Sequence, residues 1–186
     1  MSEGLTGSLR AVTEWLEASR IPYMVVGSFA STFHGEPRTT RDLDIVIDPS
    51  AEALEAFLAR IDLDAFHVDL DTARDALRRR TMFKIVDMNT AWKIDLVIRK
   101  DRAFSIEELS RRPPARIVDV DVPIASAEDT ILAKLEWAKE SGSDRQITDV
   151  AGILHLREDT LDRAYPEKWI EELGLRDVWE RALARR

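Results

Sequence analysis

Apolar and polar positions alternate in recognisable periods along this chain. Over Leu5–Ser19, the residues Leu9, Val12 and Leu16, with Trp15 beside them, recur at three-to-four spacing and predict an amphipathic helix. Pro22 stops it. Tyr23–Val26 is a continuous apolar run ending at Gly27-Ser28, which reads as a strand and a tight turn. Phe29–His34 is helix-compatible up to Gly35. Asp42-Leu43-Asp44 then opens a second apolar run, Ile45-Val46-Ile47. Ala51–Ile61 predicts a helix with Leu54, Phe57, Leu58 and Ile61 on one face. A short strand at Phe66–Leu70 and a helix at Asp71–Arg80 follow.

Met82–Asp87 and Ala91–Arg99 read as two strands joined by a Met88-Asn89-Thr90 turn, a hairpin. Ser105–Leu109 is one or two helical turns, ended by Arg111-Arg112-Pro113-Pro114. Ile117–Ile124 alternates strictly and predicts one half-exposed strand, with Asp119 and Asp121 on its solvent face and Pro123 marking an edge. From Ser126 the chain turns helical. Ser126-x-x-Asp129 resembles a capping box with Asp in the third position. Helices are expected over Thr130–Glu140 and Arg145–Leu156, and in three shorter stretches at Thr160–Tyr165, Pro166–Leu173 and Arg176–Arg185. The expected organisation is an α/β (α+β) core over residues 1–125, a small mixed sheet flanked by helices, with a helical extension over 126–186.

Composition narrows the class. The 186 residues are 45% hydrophobic and 33% charged, which excludes a disordered chain and leaves room for a packed core. No apolar run approaches the roughly 18 residues of a membrane span. MSEGLTGSLR lacks the basic-then-apolar order of a signal peptide, so a cytoplasmic protein is expected. There is no cysteine. A net charge of −8 makes non-specific nucleic-acid binding unfavourable. The clusters Arg78-Arg79-Arg80 and Arg111-Arg112 read as solvated helix ends, where cations complement the dipole. The tryptophans read as core. His34, His67 and His155 are too scattered for a zinc site.

The carboxylates carry the chemical signal. Strand alternation puts Asp42 and Asp44 on one face about 7 Å apart, where they repel unless a cation lies between them. Hard oxygen ligands suit Mg²⁺ or Mn²⁺. Gly27-Ser28, with its backbone N–H groups and hydroxyl near a helix start, is a natural seat for phosphate. Asp95, inside Trp-Lys-Ile-Asp-Leu-Val-Ile, shares a strand face with Lys93 and Val97, and its place in a covered strand calls for a partner. On an open sheet face that partner is a cation, Lys93 or an arginine.

Gly27-Ser28, a gap, then Asp42-x-Asp44 resembles the signature of the nucleotidyltransferase superfamily, the polymerase-β-like fold. Pro22-Tyr23, His34-Gly35, Arg38-x-Thr40 and Asp42-Leu43-Asp44 look most like its small bacterial branch, which includes the AbiEii-type toxin nucleotidyltransferases. The resemblance implies transfer of a nucleotidyl group from an NTP to a hydroxyl, with Mg²⁺ or Mn²⁺ as cofactor. It implies that Asp42 and Asp44 hold the metals and that Asp95 supplies the third carboxylate. It further implies that Gly27 and Ser28 hold phosphates and that Arg38 neutralises the leaving group. Lys134, Arg145 and Asp149 resemble the Lys…Arg/Lys…Asp arrangement of that branch's C-terminal helices, which makes Lys134 and Arg145 candidate triphosphate contacts. Bland alternatives stand beside them: Lys134 pairing with Glu136 or Glu140 on the surface, and an Arg145–Asp149 helix pair. Here Arg145-Gln146 stands where that branch has a Lys-Asp pair. The acceptor (tRNA, protein or small molecule) is left open. A catalytically silent nucleotide-binding or regulatory module, such as a toxin–antitoxin component, is the alternative function.

Overall fold

The structure, a computed structural model, describes residues 2–37 and 39–186. It divides into two compact units, one of Met1–Val26 and Thr40–Ile124, the other of Gly27–Thr39 and Ala125–Arg186.

In the first unit, α1 (Ser2–Ala18) leads into β1 (Tyr23–Val25), and β2 (Asp42–Ile47) returns beside it, antiparallel. After α3 (Ala51–Leu58) come β3 (Phe66–Val68), α4 (Leu70–Arg79), β4 (Met82–Asp87) and β5 (Lys93–Ile98). The sheet order is β1-β2-β5-β4-β3, with only β2 and β5 parallel. Side chains of one face stack in rows set by the register. Leu43, Ile94 and Ile85 make one row, Ile45, Leu96 and Phe83 another, and all six are buried. Trp15 of α1 meets Phe57 of α3 and Phe66 of β3 edge-on, with ring centroids 6.5 and 5.0 Å apart. That contact fastens two helices to the apolar face. Ser50 caps α3 and Asp69 caps α4, each accepting from the backbone N–H three residues on.

Asp87 is the polar exception on that face. It lies at the end of β4, buried, and accepts from the Ser8 hydroxyl at 2.6 Å and from the N–H groups of Asn89 and Thr90 at 2.9 and 3.2 Å. Burial by itself would raise this carboxyl. The hydrogen bonds from Ser8, Thr90 and Asn89 outweigh burial and hold it below its ordinary range.

The strand expected over Ile117–Ile124 is two strands. β6 (Pro114–Ile117) and β7 (Val120–Pro123) form an antiparallel hairpin, after α5 (Ala103–Arg111). Val118 and Asp119 turn the chain with φ of 40° and 68°. Asp119 is therefore a turn residue and does not share a strand face with Asp121. The sequence conceals this turn, because Val-Asp lacks the Asn-Gly or Asp-Gly that normally marks two positive-φ residues.

The second unit contains α2 (Gly27–His34), α6 (Ala127–Ser141), α7 (Asp144–Arg157), α8 (Ala164–Glu172) and α9 (Arg176–Ala184). The segment expected at Pro166–Leu173 falls in α8, which begins at Ala164, whereas residues 160–163 of the segment expected before it are turn and loop; Pro166 lies in the first turn of α8 and loses no helical hydrogen bond. A Cβ on Gly35 would come within 2.9 Å of the Ile153 side chain and 3.1 Å of its backbone nitrogen, so glycine lets α7 lie close to the end of α2. The Ser126 hydroxyl accepts from Asp129 N at 3.1 Å and donates to Asp129 Oδ2 at 2.6 Å, and Tyr165 donates to Oδ1 at 2.7 Å. Trp169 is buried here, whereas Trp137, expected in the core, is 61% exposed on the outer face of α6.

Candidate active site

The second face of the sheet is polar and half-exposed. β2 presents Asp42, Asp44 and Val46 to it, and β5 presents Lys93, Asp95 and Val97. The parallel register sets Asp44 directly opposite Asp95 and Asp42 opposite Lys93. On the far side of β5, the antiparallel register sets Lys84 opposite Asp95 and Val86 opposite Lys93. One transverse row therefore runs Asp44–Asp95–Lys84 across three strands. The strands are roughly 4.8 Å apart, so neighbours in such a row interact directly.

Lys84 Nζ lies 2.6 Å from Asp95 Oδ1. The contact is an ion pair by distance, but it lacks the angles of a hydrogen bond, and Oδ1 has no other hydrogen-bond partner. The Asp95 side chain is 15% exposed and that of Lys84 42%. From the sequence, the cation expected beside Asp95 is Lys93 or an arginine. Lys84, on a different strand, is the residue placed to pair with it, and only the hairpin register reveals that. Among the described residues, no group of three or more His, Cys, Asp or Glu side chains converges as a ready-made metal site. The donor chemistry nonetheless fits a hard divalent cation, because Asp42, Asp44 and Asp95 are all oxygen ligands on one accessible face.

Asp44 is also tied to the preceding strand through its backbone, since its carbonyl accepts from Val26 N at 2.9 Å.

In the second unit, Gly27 and Ser28 are the first residues of α2, so the turn expected there is the helix start itself. Gly27 takes φ of +62°, a left-handed value that glycine adopts at little cost. Ser28 is half-buried, and its carbonyl accepts from the Ser31 hydroxyl. Arg38 lies outside the described residues.

Lys134 is buried in α6. Its ammonium donates to Asp149 Oδ2 at 2.6 Å and Gln146 Oε1 at 3.0 Å, both on α7. It is thus an interhelical tie, not a surface lysine paired with Glu136 or Glu140. Arg145 is exposed near the start of α7. His34 Nε2 lies 2.8 Å from the Ala125 carbonyl, and Arg157 donates to the carbonyls of His34 and Phe33, closing the end of α2. Burial pushes the His34 ring below its ordinary value near 6.5. Arg157 adds to that, against the opposing pull of the Ala125 carbonyl and Glu128.

No protein-family model matches the chain, and no curated relative does. Solved structures do. ANT(2'')-Ia, crystallised in complex with adenylyl-2''-tobramycin, is similar at a TM-score of 0.58 and 13% identity, over 95% of this chain and 99% of that one. An antigenic nucleotidyltransferase-like protein from Paracoccidioides brasiliensis is similar at a TM-score of 0.54 and 16% identity, over 96% and 90%. The protein has a nucleotidyltransferase fold. The lincosamide antibiotic adenylyltransferase LnuA, lincomycin-bound, is similar at a TM-score of 0.51 and 13% identity, over 80% and 95%. At 13–16% identity these likenesses show the fold. None of them singles out the toxin branch.

Proposed function

We propose that this protein transfers a nucleotidyl group from an NTP to a hydroxyl acceptor, releasing pyrophosphate, in a reaction dependent on Mg²⁺ or Mn²⁺. One observation carries the reading. The strand register puts Asp95 opposite Asp44, two residues along from Asp42, on the accessible face of a sheet with the nucleotidyltransferase fold.

On this reading Asp42, Asp44 and Asp95 hold the divalent ions, which offset charge on the attacking and leaving oxygens. The carboxylates orient those ions from two rigid, hydrogen-bonded strands, so little reorganisation is needed during the reaction. On this reading Asp95 completes the second metal site or accepts the proton of the attacking hydroxyl. Gly27 and Ser28 hold the β and γ phosphates through the backbone N–H groups at the start of α2 and the Ser28 hydroxyl. Arg38 and Arg145 contribute charge toward the triphosphate. Lys134 contributes through α7, whose position it fixes by holding Asp149. The acceptor is a small hydroxyl-bearing molecule, a choice supported by the ligands in the structures of ANT(2'')-Ia and LnuA.

The test is incubation with each α-labelled NTP, Mg²⁺ and a panel of hydroxyl-bearing small molecules, tRNA and a cell lysate. Pyrophosphate release with label transferred to one small-molecule acceptor is expected. Release and labelling that are absent with every NTP would refute the enzyme. Label on RNA or protein alone would refute the choice of acceptor.

A further inference from the structure

The ion pair between Lys84 and Asp95 has a consequence of its own. Asp95 sits in the middle of a three-strand row, with a carboxylate, Asp44, on one side and an ammonium, Lys84, on the other. Its Oδ1 is committed to Lys84 at 2.6 Å. The next row of the same face holds Asp42, Lys93, Val86 and His67, so Lys93 is a second cation on the strands that carry these acids. The carboxylates do not converge on a common point as they stand.

We infer that Lys84 is a built-in counter-ion that competes with a divalent cation for Asp95. In the metal-free protein the ammonium offsets part of the repulsion among three acids on neighbouring strands. A divalent ion entering between Asp44 and Asp95 must draw the Asp95 carboxylate from Lys84 or share it, and it meets the repulsion of a nearby positive charge. Lys84 therefore lowers the affinity for metal alone and keeps the site from trapping cations when no nucleotide is present. An incoming NTP, with its own negative charge, restores the balance. Lys84 acts through Asp95 and is a positioning residue. The inference rests on the reading of Asp42, Asp44 and Asp95 as a metal site.

The experiment is calorimetric titration of the nucleotide-free full chain with Mn²⁺, together with its thermal denaturation in chelator. Lys84→Met and Lys84→Gln should both bind Mn²⁺ roughly tenfold more tightly than the parent, because one opposing charge is gone. Lys84→Arg should bind like the parent. Both neutral variants should melt at lower temperature in chelator and gain more from added Mn²⁺. In an Asp95→Asn background the gain from Lys84→Met should largely vanish, which separates competition for Asp95 from a general surface-charge effect. Equal or weaker Mn²⁺ binding by the neutral variants overturns the inference while leaving the metal site standing. A gain that persists undiminished in the Asp95→Asn background also overturns it. If neither parent nor variants bind Mn²⁺, the metal-site reading falls and the inference falls with it.

Discussion

Single residues in this protein are held by partners far away in sequence. Asp87 is the clearest case. Its oxygens gather Ser8 from α1 and two backbone N–H groups of the β4–β5 turn. Replacing it with Ala removes a charged acceptor from the Ser8 hydroxyl and from two part-buried N–H groups, which should lower stability by about 1–3 kcal/mol in chemical denaturation. Because its carboxyl is depressed in the folded state, its contribution is present above the ordinary value near 3.8 and fades as pH falls through the lower folded value. His34 gives a dependence of the same sign at higher pH. Nε2 must donate to the Ala125 carbonyl, which only accepts, and the ring is held below its ordinary value. As pH drops below about 6.5 the unfolded chain takes up the proton first, so stability should fall with pH there. His34→Gln, which keeps a donor toward Ala125, should flatten that part of the profile. An unchanged slope in the variant would show that the dependence originates elsewhere.

Among the elements, the β6–β7 hairpin is the least expected from its sequence. Val118 and Asp119 both occupy the left-handed region, at φ of 40° and 68°, where a β-branched residue is the most strained. The Thr6 hydroxyl and Arg10 bond the carbonyls of these two residues, so the turn is clamped from α1 through its backbone. Asn-Gly in place of Val118-Asp119 keeps those carbonyls and removes the strain. The double substitution should raise stability by about 1–2 kcal/mol, read from the denaturation midpoint at constant slope. A loss would mean that the Val118 side chain contributes more than its backbone strain removes. The β4–β5 hairpin is the converse. Period-two alternation over Met82–Asp87 and Lys93–Ile98, with a polar turn between them, announced it, and its register in turn seated Lys84 beside Asp95.

For the molecule as a whole, the testable property is the activity proposed for the carboxylate face. Asp42→Asn and Asp44→Asn should each abolish nucleotidyl transfer, read as pyrophosphate release. Metal-free melting temperature should hold or rise, because each change removes one of several like charges from the same face. A large drop in that temperature would mark these residues as structural. Activity should require Mg²⁺ or Mn²⁺ and should not return with Zn²⁺, since the site offers only hard oxygen ligands and the chain has no cysteine. Among the described residues no helix is long and apolar enough to cross a membrane.

The sequence by itself determined the local elements and their faces. Alternation put Asp42 with Asp44 and Asp95 with Lys93, and the 3.6-residue period marked Leu9, Val12 and Leu16 as the buried side of α1. These are short-range properties, because the direction of a side chain follows from the backbone it sits on. Partners across elements were not legible. The hairpin made β4 the expected neighbour of β5, but chain order does not say that β5 also pairs with β2, and that second pairing makes Asp95 the neighbour of both Asp44 and Lys84. Nor does sequence show that Lys134 reaches Asp149 and Gln146 on the next helix, or that Trp137 faces outward. The turn at Val118-Asp119 was hidden because alternation runs through it unbroken. Its positive φ values are imposed by strand pairing and by contacts from α1, which only the tertiary structure contains.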